Sequence, residues 1–200
     1  MSETDSTIVL QELKDSDKGE MTIDKRMDAQ DVPKAEIIED VPTYLKDKNI
    51  DLDLAITQIK DLYKKYQTVE GAIQERRSRL LANLPDFEQS LNYIDMAKTA
   101  KEKGKTELPL LYKLDENAYQ RAKITDLDTV TLLLGSNTYA EFTLDEARDL
   151  LKNNIEGINK LMSTLKEELD WIRDQCTTCE VSMAHLYNYG VSTKKTQVKA

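Results

Sequence analysis

The stretch TVTLLLGSNTYAEFTLDEAR (residues 129–148) decides the fold, because its hydrophobic period changes within a single run. Residues 129–134 are rich in β-branched and aliphatic side chains, and a strand here carries Val130, Leu132 and Leu134 on one face. Gly135, Ser136 and Asn137 supply turn chemistry, and a second strand returns over about 138–143. Thr143, Leu144, Asp145 and Glu146 then form a capping box. The threonine oxygen can accept from the Glu146 amide while the glutamate reaches back, and both acids favour the positive end of a helix dipole.

Working outward, a second strand pair is expected over about 107–114 and 117–124. Its tip is Asp115-Glu116-Asn117, and residues 125–128 link it to the first pair. Heptad patterns flank this β-patterned insert of about 106–143. The N-terminal one runs Leu52, Ala55, Ile59, Leu62, Tyr66, Val69, Ile73. The C-terminal one runs Ile155, Ile158, Met162, Leu165, Leu169, Ile172, Cys176, Cys179, Met183, Leu186. Alternating steps of three and four keep one seam of a helix facing a partner.

A first helix is expected from about 42 to 100, roughly 85 Å at about 1.5 Å per residue. Asp40 is placed to cap it, and Pro42 is tolerated in its first turn. Pro85 removes an amide donor and predicts a kink in one continuous helix; the alternative is a new helix beginning there. The second helix is expected to stop at Gly190. The fold class is thus α with a small β part: a long antiparallel coiled coil with two β-hairpins at the bend. The expected organisation is a disordered acidic tail over 1–31, an extended leader over 32–41, the helical module over 42–190 and a flexible tail over 191–200.

Composition agrees with long solvated helices, with 32% charged residues and few Gly and Pro among 200 residues. The net charge is -9, and residues 1–40 alone hold twelve acids against five bases. An acidic body disfavours nucleic acid, which needs a basic face. No apolar run reaches the roughly 18–20 residues that span a bilayer, and the N-terminus lacks a secretory signal pattern, so the expectation is a cytoplasmic protein without a membrane partner.

Two hairpins cannot close into a barrel, and left alone they expose sheet edges. A small closed barrel takes about eight strands, so about half must come from other chains. Oligomerisation through the hairpins follows, with Val130, Leu132, Leu134, Tyr139 and Phe142 as assembly residues.

The order helix, two hairpins, helix, with VTLLLGSNTYAEF (130–142) leading into Asp145, Glu146 and Ala147, resembles α-class prefoldin subunits. The leader VPKAEIIEDV (32–41) and the segment DQCTTCEV (174–181), followed by Met183, Ala184, Leu186, Tyr187 and Asn188, resemble those of a eukaryotic member. The likeness covers about residues 32–190. It implies a hexamer in which this chain joins one further α-class and four β-class subunits, their strands building two eight-stranded barrels. It also implies ATP-independent holding of unfolded clients such as actin and tubulin, delivery to the cytosolic chaperonin, and no cofactor. The cysteine pair is a departure, not expected as a required family feature.

Cys176 and Cys179 invite a redox or metal reading, but no βαβ pattern accompanies them and a zinc site needs two further soft ligands. Both lie on the seam, where core packing is expected. His185 is the only histidine and reads as a solvated side chain. Apolar and tyrosine side chains crowd the start of the first helix and the end of the second. Tyr44, Leu45, Leu54, Tyr187 and Tyr189 lie beside the strict seam and are candidate client contacts, with plain tip packing as the alternative. Three functions compete: a chaperone subunit, a scaffold subunit that organises other complexes without holding clients, and a CxxC redox enzyme.

Overall fold

The computed structural model describes residues 22–135 and 137–198. Its elements are α1 (Ile23–Ala29), α2 (Val41–Lys48), α3 (Leu52–Glu102), β1 (Leu108–Asp115), β2 (Ala118–Ile124), β3 (Thr129–Gly135), β4 (Thr138–Thr143) and α4 (Leu144–Val198). The chain forms two compact units, one on Ser78–Met162 and one on Gly19–Arg77 with Ser163–Ala200.

In the first unit, β1 pairs antiparallel with β2 and β3 with β4, giving two separate two-stranded sheets. The core gathers Ile94, Ala97 and Ala100 of α3, Leu108 of β1, Leu127 of the link, and Leu144, Ala147 and Leu151 of α4. The helices are antiparallel here: Asp95 pairs with Arg148 at 2.8 Å and Lys98 with Asp145 at 2.6 Å, three residues on and three residues back. The capping box forms as expected. Thr143 N donates to Glu146 Oε2 at 3.0 Å, and Glu146 N donates to Thr143 Oγ1 at 3.4 Å. The Thr143 amide and the Thr143 hydroxyl, which donates to the same Oε2 at 2.9 Å, hold the Glu146 carboxyl below its usual pKa.

In the second unit, Tyr63 meets Glu180 at 2.9 Å and Glu70 meets Arg173 at 3.3 Å, a heptad forward on α3 for a heptad back on α4. Ala55, Ile59, Tyr66 and Ile73 of α3 are buried, as are Leu165, Leu169, Ile172, Cys179 and Leu186 of α4. The seam read from the heptads is therefore the packed one.

Four expectations change. The first helix does not run unbroken from 42: Asn49 adopts the left-handed conformation (φ 50°) and closes α2, with its own amide and that of Ile50 bonded to the Lys46 and Leu45 carbonyls. From Leu52 onward α3 is one helix that carries Pro85 inside it. Residues 23–29, expected to be disordered, form α1, because Met27 is fully buried and Trp171 Nε1 donates to Asp24 Oδ1 at 2.7 Å. The disorder expected over residues 1–21 lies outside the described residues. Gly190 is not a stop: α4 continues to Val198, so residues 191–198 of the expected flexible tail are helix, and 199–200 lie outside the described residues. A Cβ on Gly190 would lie 2.9 Å from Leu52 Cδ2, so close approach of α3 accounts for the glycine.

Candidate functional site

Among the described residues no group of His, Cys, Asp and Glu could hold a metal ion, and no helix is long and apolar enough to cross a membrane. The surfaces of interest lie one in each unit.

The hairpins of the first unit have two unlike faces. Leu110, Ile124, Val130, Leu132 and Phe142 pack against the core of their own chain. Of the five assembly residues inferred from sequence, Val130, Leu132 and Phe142 are thus at least partly committed internally, and Leu134 is half-buried. Tyr139 differs, being 61% exposed. It sits directly across from Leu133, also exposed, so an apolar cross-strand pair faces outward. On the other sheet Leu111, Tyr112, Leu114 and Tyr119 are all more than half exposed. Among the described residues each sheet holds only two strands, and an isolated hairpin is marginal in water. Gly135 at φ 109° and Asn137 at φ 56° turn the second hairpin with residues that tolerate positive φ.

The second unit carries a stitched leader. Residues 32–38 are neither helix nor strand, yet Val32 and Ile38 are buried, as is Val41 beyond them. Ala35 N donates to Gln175 Oε1 at 2.9 Å, and Ile38 N to Ser182 Oγ at 3.1 Å. Ser182 Oγ donates in turn to Glu36 O at 3.3 Å, and Tyr66 OH to Pro33 O at 2.6 Å. The Ile38 carbonyl lies 2.6 Å from His185 Nδ1 and can only accept, so that nitrogen carries the hydrogen. His185 is therefore half-buried and bonded to the leader, not the solvated side chain expected.

Burial pushes the Tyr66 phenol up to about 12 and the Cys179 thiol up to about 11; Cys176 is raised by the same cause. A buried thiol with a raised pKa is a poor nucleophile, which agrees with packing. The Tyr66 and Trp171 rings meet edge to face, with centroids 6.4 Å apart.

Gln175, Ser182 and Trp171 were missed from sequence. The available signal is a second stripe: Leu161, Glu168, Gln175 and Ser182 recur every seven residues, each one position before the seam residues Met162, Leu169, Cys176 and Met183, and all four are buried. In the second unit α4 thus faces α3 with its seam, while Gln175 and Ser182 of the neighbouring stripe meet the leader.

Of the client-contact candidates, Leu54 and Tyr187 are exposed, with Lys60 Nζ 5.4 Å from the centre of the Tyr187 ring. Tyr44, Leu45 and Tyr189 are half-buried, and Lys48 Nζ lies 4.8 Å from the centre of the Tyr44 ring.

Two long antiparallel helices joined by a pair of hairpins define the prefoldin fold, and the prefoldin subunit family model matches residues 66–189. The chain belongs to the prefoldin family, a family of chaperones rather than enzymes. Its similar relatives carry a more particular name. It is 32% identical over 169 residues to the probable prefoldin subunit 3 of Caenorhabditis elegans, covering 84% of this chain and 91% of that one. It is 34% identical over 164 residues to prefoldin subunit 3 of Homo sapiens and 33% to that of Bos taurus, covering 82% of this chain and 83% of each relative.

Proposed function

We propose that this chain is an α-class subunit of a cytoplasmic hexamer that captures unfolded proteins without ATP, among them the actin and tubulin class, and passes them to the cytosolic chaperonin. It joins one further α-class and four β-class subunits. The carrying observation is the outward apolar face of the hairpins, centred on Leu133 and Tyr139, together with the outer edges of two sheets that hold only two strands each among the described residues. Strands from neighbouring subunits would cover both by completing barrels. Leu132 was the natural assembly position by sequence, but it also packs on its own core, so Leu133 and Tyr139 are the cleaner probes. Client contact is assigned to Tyr44, Leu45, Leu54, Tyr187 and Tyr189, of which Leu54 and Tyr187 offer the most apolar surface.

The test is native mass spectrometry of the complex purified through this chain, with aggregation of denatured actin followed in parallel. The wild type is expected to bring five partner subunits and to suppress aggregation without ATP. Leu133→Asp with Tyr139→Asp is expected to lose the partners while keeping its helical signal. An intact hexamer in that variant overturns the assembly reading, and a hexamer with no holding activity leaves a scaffold subunit instead.

A further inference from the structure

The leader is held by a surface that barely reads its side chains. Five groups of residues 33–38 are bonded to Tyr66, Gln175, Ser182 and His185, and all five are main-chain atoms. Of the leader's own side chains, Val32 and Ile38 are buried and Ala35 half-buried, one in every three residues, and Val41 at the start of α2 is buried as well; Lys34 and Glu36 pair instead with Asp24 of α1 and Lys48 of α2, at 3.4 and 3.3 Å. Three residues per turn is the repeat of an extended polyproline-type ribbon, which advances about 9 Å per turn. Ala35 and Ile38 meet Gln175 and Ser182, seven residues apart on α4. Seven helical residues advance about 10 Å, so one ribbon turn matches one heptad. Any extended chain with apolar side chains at that interval presents the same atoms to the same partners.

The leader is also an imperfect occupant. Beside Ala35 lies a recess of about 230 Å³ whose lining is mixed: apolar residues including Ala35, Ile38, Ile59 and Leu62, and the charged Lys34, Glu36 and Lys48. The recess leaves room for a side chain longer than the Ala35 methyl.

We propose that the groove formed by α3 and α4 beneath the leader is a main-chain-reading peptide site. The leader occupies it in cis, and an extended segment of another polypeptide, apolar at every third residue, takes it in trans when the leader lifts. This deepens the client-holding reading by naming the site and the segment chemistry, but peptide binding can be measured whether or not aggregation is suppressed.

The probe is a fluorescent peptide of residues 31–42 and a second peptide bearing Ala35→Leu, titrated by anisotropy into the full chain with its co-purifying subunits. A tethered leader competes at an effective concentration on the order of millimolar, so wild-type binding is weak. Val32→Asp with Ile38→Asp in the chain disables the leader and leaves the groove intact. That variant is expected to bind either peptide at least about tenfold tighter than wild type. The Ala35→Leu peptide is expected to bind several-fold tighter than the parent, and adding Gln175→Ala and Ser182→Ala to the chain abolishes the gain. An unrelated peptide with apolar residues at the same interval is expected to bind within a few-fold of the parent.

No gain on disabling the leader overturns the proposal, as does failure of the unrelated peptide, which would make the groove a clasp for its own leader. Should the double variant lose helical signal, Ile38→Ser alone gives the same comparison with a smaller gain. Peptide binding without suppression of aggregation counts against client holding and leaves the groove standing.

Discussion

Ser182→Ala isolates the leader's attachment with one atom. The hydroxyl accepts from Ile38 N at 3.1 Å and donates to Glu36 O at 3.3 Å, in a residue 1% exposed. Glu36 is exposed, so its carbonyl can turn to water at little cost. Ile38 is only 3% exposed, and its amide is left buried without its acceptor, a penalty of about 1–3 kcal/mol. Lifting the leader relieves that penalty, so the opening equilibrium should rise by about five- to 150-fold. The informative probe is the amide of Ala35, whose own bond to Gln175 is untouched by the substitution. Hydrogen exchange of the full-length chain is expected to quicken at Ala35 by the same factor as at Ile38. Amides in α3 beside Leu80 and in α4 beside Leu165, buried seam positions away from the leader, keep their protection. Unchanged exchange at Ala35 would mean that the leader's bonds break one at a time, and the strap would not be a cooperative unit.

Two further outcomes bear on the second unit. Gly71 lies in α3 with nothing within 4 Å of an added Cβ, so Gly71→Ala should raise stability by about 0.5–1 kcal/mol, read as a higher urea midpoint with an unchanged slope. Glu168 is 7% exposed, and burial raises its pKa above the ordinary 4.5 despite Arg26 and Arg76 nearby. The folded state therefore holds that proton more tightly than the unfolded one, and stability should rise as pH falls from neutral through the raised pKa toward about 4.5. Glu168→Gln should flatten that rise in urea unfolding. An identical pH slope in the variant would assign the rise to other groups; the lowered carboxyls of Asp24, Asp145 and Glu146 act oppositely and at lower pH.

The hairpins and the capping box were legible because their signals are local. Turn residues and a change of period fixed all four strands to within a residue or two, and Thr143 and Glu146 needed only each other. The break after α2 was not read, since Asn49 in an otherwise helical stretch announces a left-handed cap only by its tolerance of positive φ. α1 was missed for a different reason. It is seven residues long with one buried side chain, Met27, and its position depends on Trp171 and Glu167, more than a hundred residues away. Gly190 has two uses, as a terminator and as a point of close approach, and sequence alone does not separate them.

The leader surface was hidden by a rule that is sound for coiled coils. Counting apolar residues at heptad spacing finds the stripe that meets another helix, whose side chains interdigitate with it. A partner that is extended backbone presents amides and carbonyls as well as side chains, and a surface that covers them must supply donors and acceptors or leave them unpaired. Polar residues such as Gln175 and Ser182, buried at heptad intervals beside an apolar seam, are what such a partner requires. The hairpins pose the same difficulty with the opposite outcome. Among the described residues each sheet holds only two strands, and Leu133 and Tyr139 stay exposed. The leader closes one surface from inside the chain, whereas an exposed apolar sheet face is what a subunit of an assembly presents to its neighbours.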